Sequence, residues 1–232
     1  MKTVRCLSLF FFGVLLFCFI SIPNATATLL NGSFEIAKSG VSLPNINTFR
    51  TTTGDSMFGW LVESGNVDWV ATGYWNSSQG NYSVDMDGTT AGKLGQSFDT
   101  VAGGKYTVSF DLSGNPWGGA LQSLQVSIFD SGNSSLFSSQ YDNNNPYSSG
   151  RVSVPGFTGM IWNNQSFEFI ATSDFSKIVF QSLTPGFYGP AIDNVNVAKL
   201  DVAPVPEPIS MLLFGTGIVG IGGYLRKKCK KN

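Results

Sequence analysis

Between Lys105 and Leu112 the chain alternates: Tyr106, Val108, Phe110 and Leu112 share one parity, and Lys105, Thr107, Ser109 and Asp111 share the other. A period of two places the four apolar side chains on one face of a β-strand. The pattern recurs in Leu121 to Phe129, where Leu124, Val126 and Ile128 fall together, and in Leu94 to Phe98, Ser166 to Ala171, Ser176 to Leu183 and Ala191 to Ala198. Leu29-Leu30 reads as an opening strand before an Asn31-Gly32 turn, and Phe58 to Val62 and Val67 to Val70 read as two more. In Ser83 to Gly88 the alternation sends Val84 and Met86 inward and Asp85 and Asp87 outward. Gly, Asn, Ser and Asp separate these runs, and the longer polar stretches Ala37 to Thr53 and Ser131 to Pro155 read as loops. No amphipathic helical period occurs between Thr28 and Asp201. Many short strands broken by turn residues predict an all-β fold, a jelly-roll β-sandwich.

The two ends of the chain carry different signals. Lys2 and Arg5, the apolar run Cys6 to Ile20 and Ala25-Thr26-Ala27 have the layout of a secretory signal peptide. Residues 1–27 are read as that signal helix, with Thr28 opening the mature chain. Residues 202–232 hold a short linker, Pro206-Glu207-Pro208, the uncharged run Ile209 to Leu225 and a basic cluster from Arg226 to Lys231. As a helix, that run would span roughly 25 Å, close to a hydrocarbon core, so a transmembrane helix is expected. The basic cluster is costly to translocate and would hold the C-terminus in the cytoplasm. The tripeptide, apolar run and basic tail in this order resemble the PEP-CTERM sorting signal of bacterial surface proteins. The resemblance implies recognition by an exosortase, cleavage near Pro206–Pro208, and transfer from the inner membrane to the cell surface or extracellular matrix.

What lies between, residues 28–201, is long enough for one domain with its own core. Cys6 and Cys18 fall in the signal and Cys229 in the tail, so this domain has no thiol, and the whole chain has no histidine. Disulfides, zinc–thiolate sites, Ser-His-Asp triads and HExxH metal sites are thereby excluded. The domain holds seven Lys and Arg against fourteen Asp and Glu, a net charge of −7. That balance lacks the basic footprint of a nucleic-acid binder, and suits carbohydrate or calcium better.

Six phrases sharpen the architecture. They are Leu30–Glu35, Phe58-Gly59-Trp60 with Val67-Asp68-Trp69, Gly80–Gly88, Gly95–Val101, Tyr106–Pro116 and Gly189–Val197. In this order they resemble the choice-of-anchor C family, extracellular domains similar to galactose-binding-domain-like jelly rolls and carbohydrate-binding modules. The resemblance spans almost all of Leu29–Val197. It implies a structural Ca²⁺ where the first and last strands meet, held by Glu35 and Asp193 with oxygens near Asn31 and Ser33. Ca²⁺ takes six to eight oxygen ligands, which two chain segments together can supply. Turn hydrogen bonds, or plain solvation, are the alternative use of the same carboxylates.

Aromatic residues outside the alternating positions mark a second candidate site. Tyr74, Trp75, Trp117, Trp162 and Tyr188, with Tyr147 and Phe187, lie in or beside Gly/Asn/Ser-rich loops. A ring face can stack on a sugar while nearby polar groups bond its hydroxyls, so these residues are the expected ligand-binding set. Trp60 and Trp69 are expected in the core. Asp85 and Asp87 share a strand face, with Glu63, Asp111 and Glu168 as possible partners for carboxylate catalysis. A solvated face leading into a turn is the favoured reading of that pair, so no catalytic residue is assigned. The expected protein is an exported surface protein whose non-catalytic sandwich binds or organises extracellular polysaccharide. A structural matrix protein making protein contacts is the alternative, and a carboxylate-based glycoside hydrolase the third.

Overall fold

The computed structural model describes residues 29–119, 121–144 and 156–200. The predicted signal peptide, Tyr147, the Pro206-Glu207-Pro208 motif and the apolar and basic segments behind it lie outside the described residues. Among the described residues no helix is long and apolar enough to cross a membrane. Their regular structure is all β: β1 (Phe49–Gly54), β2 (Leu61–Ala71), β3 (Tyr82–Asp85), β4 (Lys93–Asp99), β5 (Lys105–Gly114), β6 (Leu121–Asp130), β7 (Ser135–Asn144), β8 (Asn163–Ile170), β9 (Phe175–Ser182) and β10 (Pro190–Lys199).

Every strand pairing is antiparallel, and one hydrogen-bonded path runs β7-β6-β9-β4-β2-β3-β10-β5-β8, with β1 added to β2. The path folds over on itself as a jelly-roll sandwich. Its inner faces meet where Phe110 packs edge-on against Tyr141 and Phe180, and where Phe137 of β7 stacks on Phe167 of β8 at 3.8 Å. β2 makes the fold-over possible. Its first residues, Leu61 to Ser64, pair with β4, and Asp68 to Ala71 pair with β3. The register breaks at Val62/Ser64, beside Gly65, whose φ of 63° lets the strand bend between the two halves of the sandwich.

The alternation in β5 is realised: Tyr106, Val108, Phe110 and Leu112 are all buried. So are Leu124, Val126 and Ile128 of β6, and Trp60 and Trp69 sit in the same core. Both indoles also tie down the first described segment. Trp60 Nε1 donates to the Asn31 carbonyl and Trp69 Nε1 to that of Phe34, each at 2.9 Å. These bonds satisfy the buried N–H groups that such large rings bring inside.

Several expectations need correction. Leu29-Leu30 is not a strand; Leu30 is held instead by the Gln96 side-chain amide, which accepts from its N–H and donates to its carbonyl. Phe58–Val62 and Val67–Val70 do not form two strands, because β2 runs through Gly65 without stopping. The polar stretches read as loops contain β1 and β7, which pair with β2 and β6. Asp85 and Asp87 do not face water: both are buried, because loops from elsewhere cover the outer side of β3.

Candidate functional site

Asp85 organises one end of the sandwich. Its Oδ1 accepts the backbone N–H of Asp87 (3.0 Å) and of Gly189 (3.1 Å), and its Oδ2 accepts the side-chain amide of Asn115 (2.5 Å). A single carboxyl thus joins the turn after β3, the β5–β6 loop and the β9–β10 loop. Asn115 passes the constraint on: its Oδ1 accepts the Trp117 N–H, and its backbone exchanges two hydrogen bonds with the Gln122 side chain. Gly189 follows Tyr188 directly, so the bond to Gly189 fixes the second ring of the site. Burial drives the Asp85 carboxyl well above the ordinary range; the Asp87 amide and Asn115 oppose it, and the Asp68 and Asp87 charges add to it.

Around this anchor stands a line of rings. Phe49 meets Tyr74 at 5.1 Å, Tyr74 meets Trp117 at 5.6 Å, Trp117 meets Tyr188 at 6.2 Å and Tyr188 meets Phe187 at 6.5 Å. Neighbouring planes in that line are inclined by 65°, 60°, 48° and 58°, so the rings wall a cup and do not form a flat shelf. The cup is a cavity of about 40 Å³, lined also by Asp68, Asp85 and Asn115. Beside it lies a cleft of about 370 Å³ between the Trp117–Leu121 and Thr184–Tyr188 segments, sharing Trp117, Phe187 and Tyr188 with the cup. Phe187 and Tyr188 are exposed, and Tyr74 and Trp117 half-buried. Burial first, then the nearby Asp68, Tyr188 and Asp85 in that order, pushes the Tyr74 hydroxyl up to about 12.

Three of the five sequence-predicted ligand residues, Tyr74, Trp117 and Tyr188, therefore converge. Trp75 does not join them as a binding face. It is 1% exposed, packs with Val70, Met160 and Ala191, and donates its indole N–H to Ser83 at 2.8 Å, so it serves as floor. Trp162 packs partly buried on that cluster and donates to the Asn76 carbonyl at 3.0 Å, outside the lining of both cavities. Phe49 and Asp68 were missed. Alternation in Val67-Asp68-Trp69-Val70 already sets Asp68 opposite Trp69, and β-branched Thr51 to Thr53 beside Phe49 carried a strand signal.

Glu35 and Asp193 hold the same turn. Glu35 Oε1 accepts the N–H groups of Asn81 and Tyr82, and Asp193 Oδ2 those of Ser78 and Gln79, so two carboxylates grip one turn from either side. Burial pushes the Asp193 carboxyl up to about 7, against the amides of Gln79, Asn194 and Ser78, with the Glu35 charge adding a smaller rise. Asn31 is placed differently. Its side chain closes a turn through Ile36 and Phe58, and its carbonyl accepts from Trp60. Ser33 is half-buried in the same turn. Among the described residues no three carboxylates form a metal-holding group, and none of the ion pairs involves Glu35 or Asp193.

Asp87 is a separate oddity. It is fully buried, and neither carboxyl oxygen has a hydrogen-bond partner among the described residues. Burial pushes it up to about 6, with Ser182 and the Gly92 amide near enough to offset part of the rise. Raised carboxyls bind protons more readily folded than unfolded, so their stabilisation is complete at low pH and disappears as pH climbs through about 6 to 7. In EGTA, denaturant midpoints should therefore fall from pH 5 to pH 8. Asp87→Asn should flatten the lower part of that fall and gain on the order of 2 kcal/mol at pH 8. A midpoint that rises across the same window would contradict the assignment.

Comparison with known proteins places the chain. Over 174 residues (73% of this chain) it is 29% identical to Halomucin of Haloquadratum walsbyi, and it spans about 2% of that protein's length. Among solved structures it is similar to a CBM4 domain, with a TM-score of 0.41 and 14% identity over 75% of this chain and 100% of that one. It is also similar to TmCBM61 in complex with β-1,4-galactotriose, with a TM-score of 0.45 and 17% identity over 74% and 97%. A PEP-CTERM protein-sorting motif matches residues 204–228, which marks the chain for export and sorting to the cell surface. The DUF642 model, described as a protein of unknown function, matches residues 27–198, and the chain belongs to that family.

Proposed function

We propose that residues 28–201 form a non-catalytic domain that binds extracellular polysaccharide through the aromatic cup and cleft, after an exosortase cuts near Pro206–Pro208. The observation that carries the reading is the run of rings from Phe49 through Tyr74, Trp117 and Tyr188 to Phe187, fixed in place by a buried carboxyl. Half-wet Tyr and Trp combine an apolar face for the sugar ring with a polar tip, and a cleft of this volume matches small-ligand sites. Loop-borne contacts on a rigid sandwich are the usual arrangement for binding. The test is a titration of polysaccharides against the wild-type domain and ring-deleted variants, set out in the Discussion.

One observation favours a hydrolase as second reading: Asp68 and Asp85 are cross-strand partners that both line the cup. One feature argues for binding instead. Asp85 is buried and already accepts three hydrogen bonds. Release of reducing ends that disappears in Asp68→Asn would establish the hydrolase.

A structural Ca²⁺ at Glu35 and Asp193 belongs to the same proposal. The two carboxylates converge from the first segment and the last strand, as a cation holding the chain ends together would require. Millimolar Ca²⁺ should raise the melting temperature by several degrees in wild type and not in Asp193→Asn. Equal melting with Ca²⁺ and EGTA would remove the ion from the account.

A further inference from the structure

Resting on the carbohydrate-binding reading, we infer that the glycan carries free amines, with a sugar ring in the larger cleft and its ammonium group in the adjoining cup. Size separates the two spaces. About 40 Å³ holds a small head group or a few waters and excludes a pyranose ring, whereas the neighbouring 370 Å³ has room for one. Trp117 and Tyr188 belong to both, so a substituent on a ring lying in the cleft can enter the cup.

The cup's chemistry selects a cation. Phe49, Tyr74, Trp75, Trp117, Phe187 and Tyr188 wall this small space with aromatic rings at mutual inclinations, and an ammonium group is attracted to such rings. Asp68 adds a carboxylate: its Oδ1 accepts from the Thr51 hydroxyl, and its other oxygen has no partner among the described residues. No lysine or arginine lines either cavity. An acetamide fits this space poorly, since the methyl and carbonyl enlarge the group and remove the charge that both rings and carboxylate favour. A neutral hydroxyl would gain neither attraction.

The test compares a β-1,4-linked glucosamine oligomer with its fully N-acetylated counterpart, titrated into the full chain in detergent micelles at low salt and near-neutral pH. The expected result is binding of the free-amine oligomer at least about tenfold tighter than of the acetylated one. Asp68→Asn should abolish that preference while its melting temperature stays at or above wild type. Trp117→Ala should weaken both ligands. Equal affinity for the two oligomers with sensitivity to Trp117→Ala would overturn the amine assignment and leave glycan binding standing. A preference that survives Asp68→Asn, or capture of a lysine-rich peptide in place of either oligomer, would also overturn it. Binding of neither oligomer nor any other glycan would remove both readings.

Discussion

Gly65→Ala should destabilise the domain by more than about 3 kcal/mol, the scale of severe single substitutions. Two costs add at that position. Its φ of 63° is strained for an L side chain, and a Cβ there would meet the Ala91 carbonyl oxygen at 2.0 Å and its carbon at 2.9 Å. That carbonyl has little freedom to retreat, because the neighbouring Asn66 grips the same loop. Its Oδ1 accepts from Thr89 and Thr90, and its carbonyl from Gly88. For a domain of this size the loss corresponds to a fall in melting temperature of roughly 6–12 °C. Gly103→Ala provides the control, since its φ is 79° but no atom beyond its chain neighbours lies within 4 Å of the added Cβ. It should cost only about 1 kcal/mol, from conformation alone. Similar losses in the two variants would show that β2 does not depend on close backbone approach at Gly65.

Trp117→Ala should lower glycan affinity by at least about tenfold, the effect of truncating a central aromatic anchor. Trp117 is the ring shared by cup and cleft, touching Tyr74 on one side and Tyr188 on the other. Its removal should leave folding nearly intact, because the Asn115–Gln122–Asp85 hydrogen bonds that shape the loop do not use the indole. Trp162→Ala should leave affinity unchanged and cost stability instead, since that ring packs on Trp75's cluster. Binding titrations with melting curves on both variants separate the cases. Affinity that falls with Trp162 and not with Trp117 would move the site elsewhere.

Local physics made part of this legible and hid the rest. β5 and β6 could be read because one face is apolar and the other polar, and the buried apolar side chains follow that parity. β7 could not: Ser135-Leu136-Phe137-Ser138-Ser139-Gln140-Tyr141 has turn-like composition, and its strand state comes from pairing with β6 at the end of the sheet path. β1 was hidden likewise in a polar stretch. Tyr74, Trp117 and Tyr188 were legible as loop aromatics, yet the same rule chose Trp75, which the chain folds over. Asp85 shows the limit most clearly. Its parity said outward, correctly with respect to the main core, but outward here means beneath two loops that arrive about 30 and 104 residues later. Long-range cover of that kind leaves no mark on a local period.

The central claim is that the rings at this end of the sandwich bind polysaccharide. Isothermal titration of residues 28–201, which enclose the whole described core, against a polysaccharide panel including the producing cell's own exopolysaccharide tests it most directly. The account predicts saturable binding to at least one polymer, lost in Trp117→Ala and Tyr188→Ala and retained in Trp162→Ala. A folded wild-type domain that binds no polymer of the panel would contradict it.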